Sequence, residues 1–526
     1  MIKLNFTIIA ALVLLFLLTN VINLKTEQGP FITPDETYNH IIITKYANDS
    51  KMYFETPYSK YDLGNNLHPR GFITYKDKIV PFFSLGMPLF YGVFYGVFQN
   101  YLSYLPFIIL VMIILVLKNI YELFYPKHKI NIVLFLSFAI LCIPLMYFSN
   151  FVYFNILPAS LFFLLFLYYT FKFNASGYFK DLMLGIFFSL ISIWFRYEYV
   201  LFVALFLFLN FLKNKEMYLN QKNKIIKISA LAGMCAVVFL APLLVMNHIL
   251  YDNPFAYGYS LSNSIFFSGE RDSNLMAKVI SIFLPSRELS LDVLYANFIT
   301  ILLLISPIFY IGGYLVIMRE NLFKKIGAYW IFIIYVMIYL GTSTNTYLSG
   351  SMDVTVVKSM VRYWFILNLF MILLFVRFFS NELFNKKMRI FIFSIMLVLS
   401  ICTLTPELQK NINSLESYTL FLNKVRENIP KDSYLITPIY DKVLFIDYKI
   451  IGWWASAADK STEDNFDPGK MRHLIQGLSD NNETIYAYKS AQFTEQGIKK
   501  LEDVGIIFHK TNIADMYKVE INETVS

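Results

Sequence analysis

The residues best suited to chemistry are Thr33-Pro34-Asp35-Glu36, which follow the first apolar run after about ten residues. Thr33 fits a helix N-cap, Pro34 the first helical position and Glu36 the third, a capping box that starts a helix. Asp35 has no part in that cap. A helix N-terminus holds a carboxylate ionised, as a general base must be to accept a hydroxyl proton. Glu36 fits either role, cap or catalysis. His40 lies one turn beyond Glu36 on the same face, a spacing that suits a metal or a simple hydrogen bond. Lys60 and His68-Pro69-Arg70-Gly71 add cations that suit a phosphate and anionic headgroups equally. Farther along, Arg196 in Trp194-Phe195-Arg196-Tyr197-Glu198 either pairs with Glu198 in an interfacial aromatic belt or aims at an anion in a cavity. Arg362, in Val361-Arg362-Tyr363, is open to the same two readings.

These residues must be positioned by a chain that is mostly membrane. Of its 526 residues 57% are hydrophobic and only 16% charged, against about 25% charged in a soluble protein, and the mean hydropathy is +0.52. A polytopic α-helical membrane protein follows. The net charge of +8 is spread in short clusters between apolar runs, so it reads as topology and not as a nucleic-acid surface. Cys142, Cys235 and Cys402 all fall in apolar stretches, which predicts neither disulfides nor a zinc site.

About eleven spans are predicted: 6–24, 104–125, 130–149, 152–171, 182–196, 199–212, 226–250, 294–317, 326–342, 361–380 and 390–406. The first is too long for a signal-peptide core and is read as retained. The clusters Lys118/Lys127/Lys129, Lys172/Lys180, Lys213 to Lys227, Arg319/Lys324/Lys325 and Arg377 to Arg389 fall on the side of Lys3. By the positive-inside rule the N-terminus is cytoplasmic and the C-terminus extracytoplasmic. Residues 81–98 are apolar but short and rich in Gly and Pro; counting them as a span would invert every later charge cluster, so they are read as interfacial or re-entrant.

The domain plan is then a membrane region over 1–409, with outer loops at 25–103 and 251–293, and an extracytoplasmic tail over 410–526. In the tail, apolar runs at 434–436, 443–446, 485–488 and 505–509 alternate with amphipathic stretches near 469–479 and 493–503, which predicts a small α/β domain. No internal repeat appears. The spans hold almost no ionisable residue away from their ends, which argues against a coupled transporter. The inner loops lack a glycine-rich phosphate loop and an Asp-x-Asp triplet, so chemistry belongs on the outer face.

This arrangement resembles the GT-C superfamily of glycosyltransferases that use polyprenyl-phosphate sugars, and within it the protein O-mannosyltransferase and aminoarabinose-transferase-like group. The resemblance rests on Pro34-Asp35-Glu36 after the first span, on Pro81 to Pro88 leading into an apolar aromatic stretch, and on Arg196-Tyr197-Glu198 at an outer junction. It also rests on Asn247 to Phe255 running to Gly258-Tyr259, and on Arg362-Tyr363 entering a late span; together these cover about residues 1–380. The resemblance implies an inverting transferase moving a monosaccharide from a lipid-phosphate donor to an acceptor hydroxyl. Asp35 would be the base, and Arg70, His68 and Arg271 would hold the donor phosphate, with Arg196 and Arg362 deeper. The acceptor would be a glycan, lipid or protein on the outer face of the plasma membrane, or in an endoplasmic reticulum lumen. No cofactor is implied, and a divalent metal is left open.

The chain departs from the metal-dependent oligosaccharyltransferases of that superfamily. Their acidic motif in a second outer loop is missing, and Gly452-Trp453-Trp454-Ala455 has neither the Asp nor the Tyr-Gly of their Trp-Trp-Asp-Tyr-Gly motif. That argues against en bloc transfer to asparagine. Transfer of a phosphoethanolamine-like group would need a metal-binding outer domain, and the tail has only His473 and His509. The competing reading from another class is a lipid flippase or a non-catalytic membrane scaffold.

Overall fold

The computed structural model describes residues 2–20, 29–127, 131–220, 222–256, 313–318, 320, 327, 329–342, 365–380, 385–437, 440–452, 467–489 and 495–522. They form two compact units. One gathers the described parts of 1–25, 101–241 and 270–409; the other gathers those of 26–100, 242–269 and 410–526.

The first unit is helical. A helix occupies every described stretch that the sequence predicts to span, and the predicted span at 294–317 lies, except for its last residues, outside the described residues. Among the described helices, Tyr101–Phe124, Ile156–Ser176, Ala230–Tyr251 and Lys386–Asn428 are long and apolar enough to cross a membrane. Thr7–Asn20, Ile132–Leu141, Tyr199–Lys213, Tyr329–Ile338 and Phe365–Ser380 are apolar but shorter. Exposed side chains such as Val237, Val238 and Phe391 present apolar surface suited to lipid. The chain is a membrane protein.

Proline punctuates these helices. The predicted span at 130–149 breaks at Cys142 into Ile132–Leu141 and Ile143–Phe148, because Pro144 has no N–H to continue the ladder and suits the first turn of a new helix. The helices Ile156–Ser176 and Phe179–Phe195 turn back on each other through Gly177, whose φ of +70° closes the first of them. Gly185 lets the pair approach closely: a Cβ there would stand 3.1 Å from Thr170 Oγ1. Aromatic rings fill the rest of the core, with Phe138 edge-on to Phe375 and Phe206 stacked on Tyr329.

The second unit holds two sheets. Strands β1 (Phe54–Glu55), β2 (Phe72–Tyr75) and β3 (Lys78–Pro81) form an antiparallel sheet in the order β1-β3-β2. The helix Gly86–Phe98 follows and packs on the helix Pro34–Asp49, with Gly92 against the ring of Tyr46. Its 13 residues rise only about 20 Å, short of a hydrocarbon core of about 30 Å.

The tail is α/β. Strands β4 (Tyr434–Thr437), β5 (Lys449–Gly452), β6 (Ile485–Tyr488), β7 (Ile506–Lys510) and β8 (Met516–Ile521) pair in the order β5-β4-β6-β8-β7. Strand β4 runs parallel to β5 and β6, while β8 is antiparallel to β6 and β7. All four residues of β4 are buried, as a central parallel strand covered on both faces requires. Tyr434 and Ile436 face the helix Pro468–Ser479, together with Leu67 from the first outer loop. Leu435 faces Leu422, Val425 and Ile429 of the long helix. The apolar run at 443–446 is not a strand. It closes the short helix Asp441–Leu444 against Leu435, since a brief buried run fits either structure and packing decides.

Candidate active site

The capping box forms as the sequence predicts. Thr33 adopts extended backbone, its Oγ1 accepts from Glu36 N at 3.2 Å, and its own N–H donates to Glu36 Oε2 at 3.4 Å. Pro34 opens the helix, and Asp35, at the second helical position, is exposed while Glu36 to Asn39 behind it are buried. Burial pushes the Glu36 carboxyl up to about 8, against the hydrogen bonds from Thr33, so at neutral pH it is largely protonated. Of the two carboxyl groups only Asp35 faces solvent. His40 sits against the ring of Phe31 at 4.9 Å, and burial lowers it to about 4, so it stays neutral. Among the described residues no three His, Cys, Asp or Glu side chains gather as a metal site would need.

The helix bearing Asp35 is tied down one turn later. The Tyr38 hydroxyl donates to Asp441 Oδ2 at 2.8 Å, and its ring packs edge-on against Phe72 at 5.4 Å. Arg70 meets the same carboxylate three ways. Its backbone N–H reaches Oδ2 at 2.9 Å, Nη2 reaches Oδ1 at 2.8 Å and Nε lies 3.2 Å from Oδ1. Asp441 is fully buried and Arg70 partly so, and both carboxylate oxygens accept from Arg70. Gly71, at φ +81°, permits this turn. A Cβ there would strike the Tyr38 ring.

The other predicted cations fall in several places. His68 is buried, its Nδ1 is 2.9 Å from Pro69 O, and burial lowers its basicity, so it stands as a neutral wall residue of the loop. Asp62 braces that loop by accepting from the backbone N–H groups of Asn66 and Leu67, each at 2.7 Å. Lys60 lies over the ring of Tyr61, which packs at His473 of the tail helix Pro468–Ser479. Arg196 belongs to the other unit, where its Nε donates to Glu198 Oε1 at 2.6 Å and its guanidinium lies 5.9 Å from the Tyr199 ring. That is the local pairing the sequence allows. Arg271 and Arg362 lie outside the described residues.

No family model and no curated protein matches the sequence. Among solved structures, the chain is similar to the crystal structure of the Archaeoglobus fulgidus oligosaccharyltransferase in its apo form. The likeness has a TM-score of 0.53 at 11% identity and covers 98% of this chain and 74% of that one. The chain shares the GT-C fold. Within this GT-C fold, two residues near the acidic motif come from the tail and were not found by sequence reasoning, Asp441 and Lys442. Lys442 Nζ donates to Ile32 O at 2.7 Å, immediately before the capping threonine. No spacing signal could have found them, because their partners lie about 400 positions away. Trp453 to Ala455 lie outside the described residues.

Proposed function

We propose that the protein is a glycosyltransferase that moves a monosaccharide from a polyprenyl-phosphate donor to an acceptor hydroxyl, with inversion at the anomeric carbon. The observation that carries the reading is Asp35. It is the solvent-facing carboxylate of the helix start, held on a helix whose next turn is anchored by Tyr38 to the buried Asp441 carboxylate, itself paired with Arg70. The GT-C fold supports the reaction class, and the apolar helices support a lipid-borne donor. In the step, the acceptor oxygen bonds to the anomeric carbon as its proton passes to Asp35. The bond from that carbon to the phosphate oxygen breaks, and its electron pair leaves with the polyprenyl phosphate. Glu36, being largely protonated at neutral pH, serves as the cap and not as a second base.

The donor's sugar, the acceptor class (glycan, lipid or protein), the outer-face orientation at a plasma membrane and the partition into 1–409 and 410–526 are parts of the same proposal. The solved relative is named as an oligosaccharyltransferase, which makes en bloc transfer the second reading. The missing Asp and Tyr-Gly after Trp453-Trp454 weigh against it.

The test is direct. Purified protein in lipid nanodiscs is given a panel of radiolabelled polyprenyl-phosphate hexoses and pentoses, and binding and slow hydrolysis are measured. Turnover of one sugar supports the reading. If none binds, the transferase fails and a flippase or scaffold takes its place.

A further inference from the structure

A transferase that releases a phosphate needs a cation whose charge is not already spent, and the predicted cations that the structure describes are poorly placed for it. Arg70 is matched by Asp441, Arg196 by Glu198, and His68 is neutral and buried. Lys60 lies over Tyr61 on the tail helix side.

Lys442 is different. Its Nζ is fixed by Ile32 O at 2.7 Å and lies 4.5 Å from the centroid of the Tyr418 ring. The side chain is half-buried, and among the described residues no carboxylate forms an ion pair with it. Its charge is felt at Glu36, so it stands beside the N-terminal turn that carries Asp35. An ammonium has three N–H donors; the Ile32 carbonyl takes one, which leaves two for phosphate oxygens. The chain neighbour Asp441, locked by Tyr38 and Arg70, fixes where this lysine can stand. Asp441 and Arg70 pair with each other and Glu36 is largely neutral, while Lys442 offers its charge beside the exposed Asp35.

We infer that Lys442, from the tail, binds the phosphate of the lipid-linked donor and stabilises the charge that develops there as the sugar departs. This rests on the transferase reading. Lys442 neither gains nor loses a proton in the step. It holds the leaving oxygen's negative charge while the acceptor proton goes to Asp35.

The experiment uses the full chain in nanodiscs with undecaprenyl phosphate as probe and undecaprenol as the uncharged control. Lys442→Gln keeps a donor for Ile32 O but loses the charge, and Lys442→Arg keeps the charge. Thermal unfolding is followed for each, so that loss of fold is not read as loss of affinity. The expected result is weakening of undecaprenyl phosphate binding by about tenfold or more in Lys442→Gln, with undecaprenol unchanged and Lys442→Arg within about threefold of wild type. Equal affinity of wild type and folded Lys442→Gln for undecaprenyl phosphate overturns the inference and leaves the transferase reading standing. A wild type that does not distinguish undecaprenyl phosphate from undecaprenol overturns both. If Lys442→Gln does not fold, Lys442→Met, which keeps the aliphatic stem and removes the charge, takes its place: the same tenfold loss supports the inference, and unchanged affinity for undecaprenyl phosphate overturns it.

Discussion

The Tyr38 hydroxyl donates to the Asp441 carboxylate at 2.8 Å across 403 positions of sequence. Through this bond and the Arg70 pair, the tail grips the helix that carries Asp35. The carboxylate is fully buried, so removing it leaves a guanidinium and a phenol without their acceptor. Asp441→Ala is expected to destabilise the second unit by about 3 kcal/mol, and Tyr38→Phe, which leaves the ion pair intact, by about 1 kcal/mol. Denaturant or thermal unfolding of the single and double variants checks this. A coupling energy near zero between the two sites contradicts the clamp.

Gly71 gives a second prediction. Its φ of +81° and its closeness to the Tyr38 ring leave no room for a methyl group. Gly71→Ala should cost about 1 to 3 kcal/mol and lower transfer by moving the helix start, while donor affinity changes less. A variant with wild-type stability and turnover would show that the turn does not position the helix.

Two buried groups with large shifts, Glu36 and His40, shape the pH dependence of stability, and His68, lowered by burial as well, adds to the His40 slope below pH 6.5. Glu36 is raised from 4.5 to about 8, so the folded state holds the extra proton between those values. Its contribution is full below about 4.5 and lost as the pH rises through 8. His40 is lowered from 6.5 to about 4, so the folded state holds fewer protons there and stability rises with pH across that range. The two slopes oppose each other below pH 6.5. Above it only Glu36 acts, and stability should fall by on the order of 2 kcal/mol from pH 6.5 to 8. Unfolding profiles of wild type and Glu36→Gln at matched pH check this. Parallel profiles across that window would mean Glu36 is not held protonated.

What the sequence could and could not reveal follows from the range of each interaction. Thr33 to Glu36 form a cap within four residues, and the cap forms as read. The apolar runs mark helices because a span must bury its backbone locally. The break at Cys142 was also within reach, since Pro144 stands in the run. Strand β8 holds no continuous apolar run: Met516-Tyr517-Lys518-Val519-Glu520-Ile521 alternates in character, as suits an antiparallel strand paired on both sides, by β6 and β7, so a search for apolar runs does not reveal it. His68 and Arg70 were legible as cations by type alone. Their burial and the partner at Asp441 depend on tertiary packing, and the same is true of Lys442.

Asp35→Asn probes the role of the base at its source. The substitution keeps size and helix position and removes only the ability to accept a proton. Wild type and variant are compared in nanodiscs for binding and turnover of the radiolabelled donor that wild type uses. With Asp35 as the base, donor affinity stays within about threefold and turnover falls by about a hundredfold or more. A folded Asp35→Asn protein that transfers sugar at the wild-type rate would contradict that role.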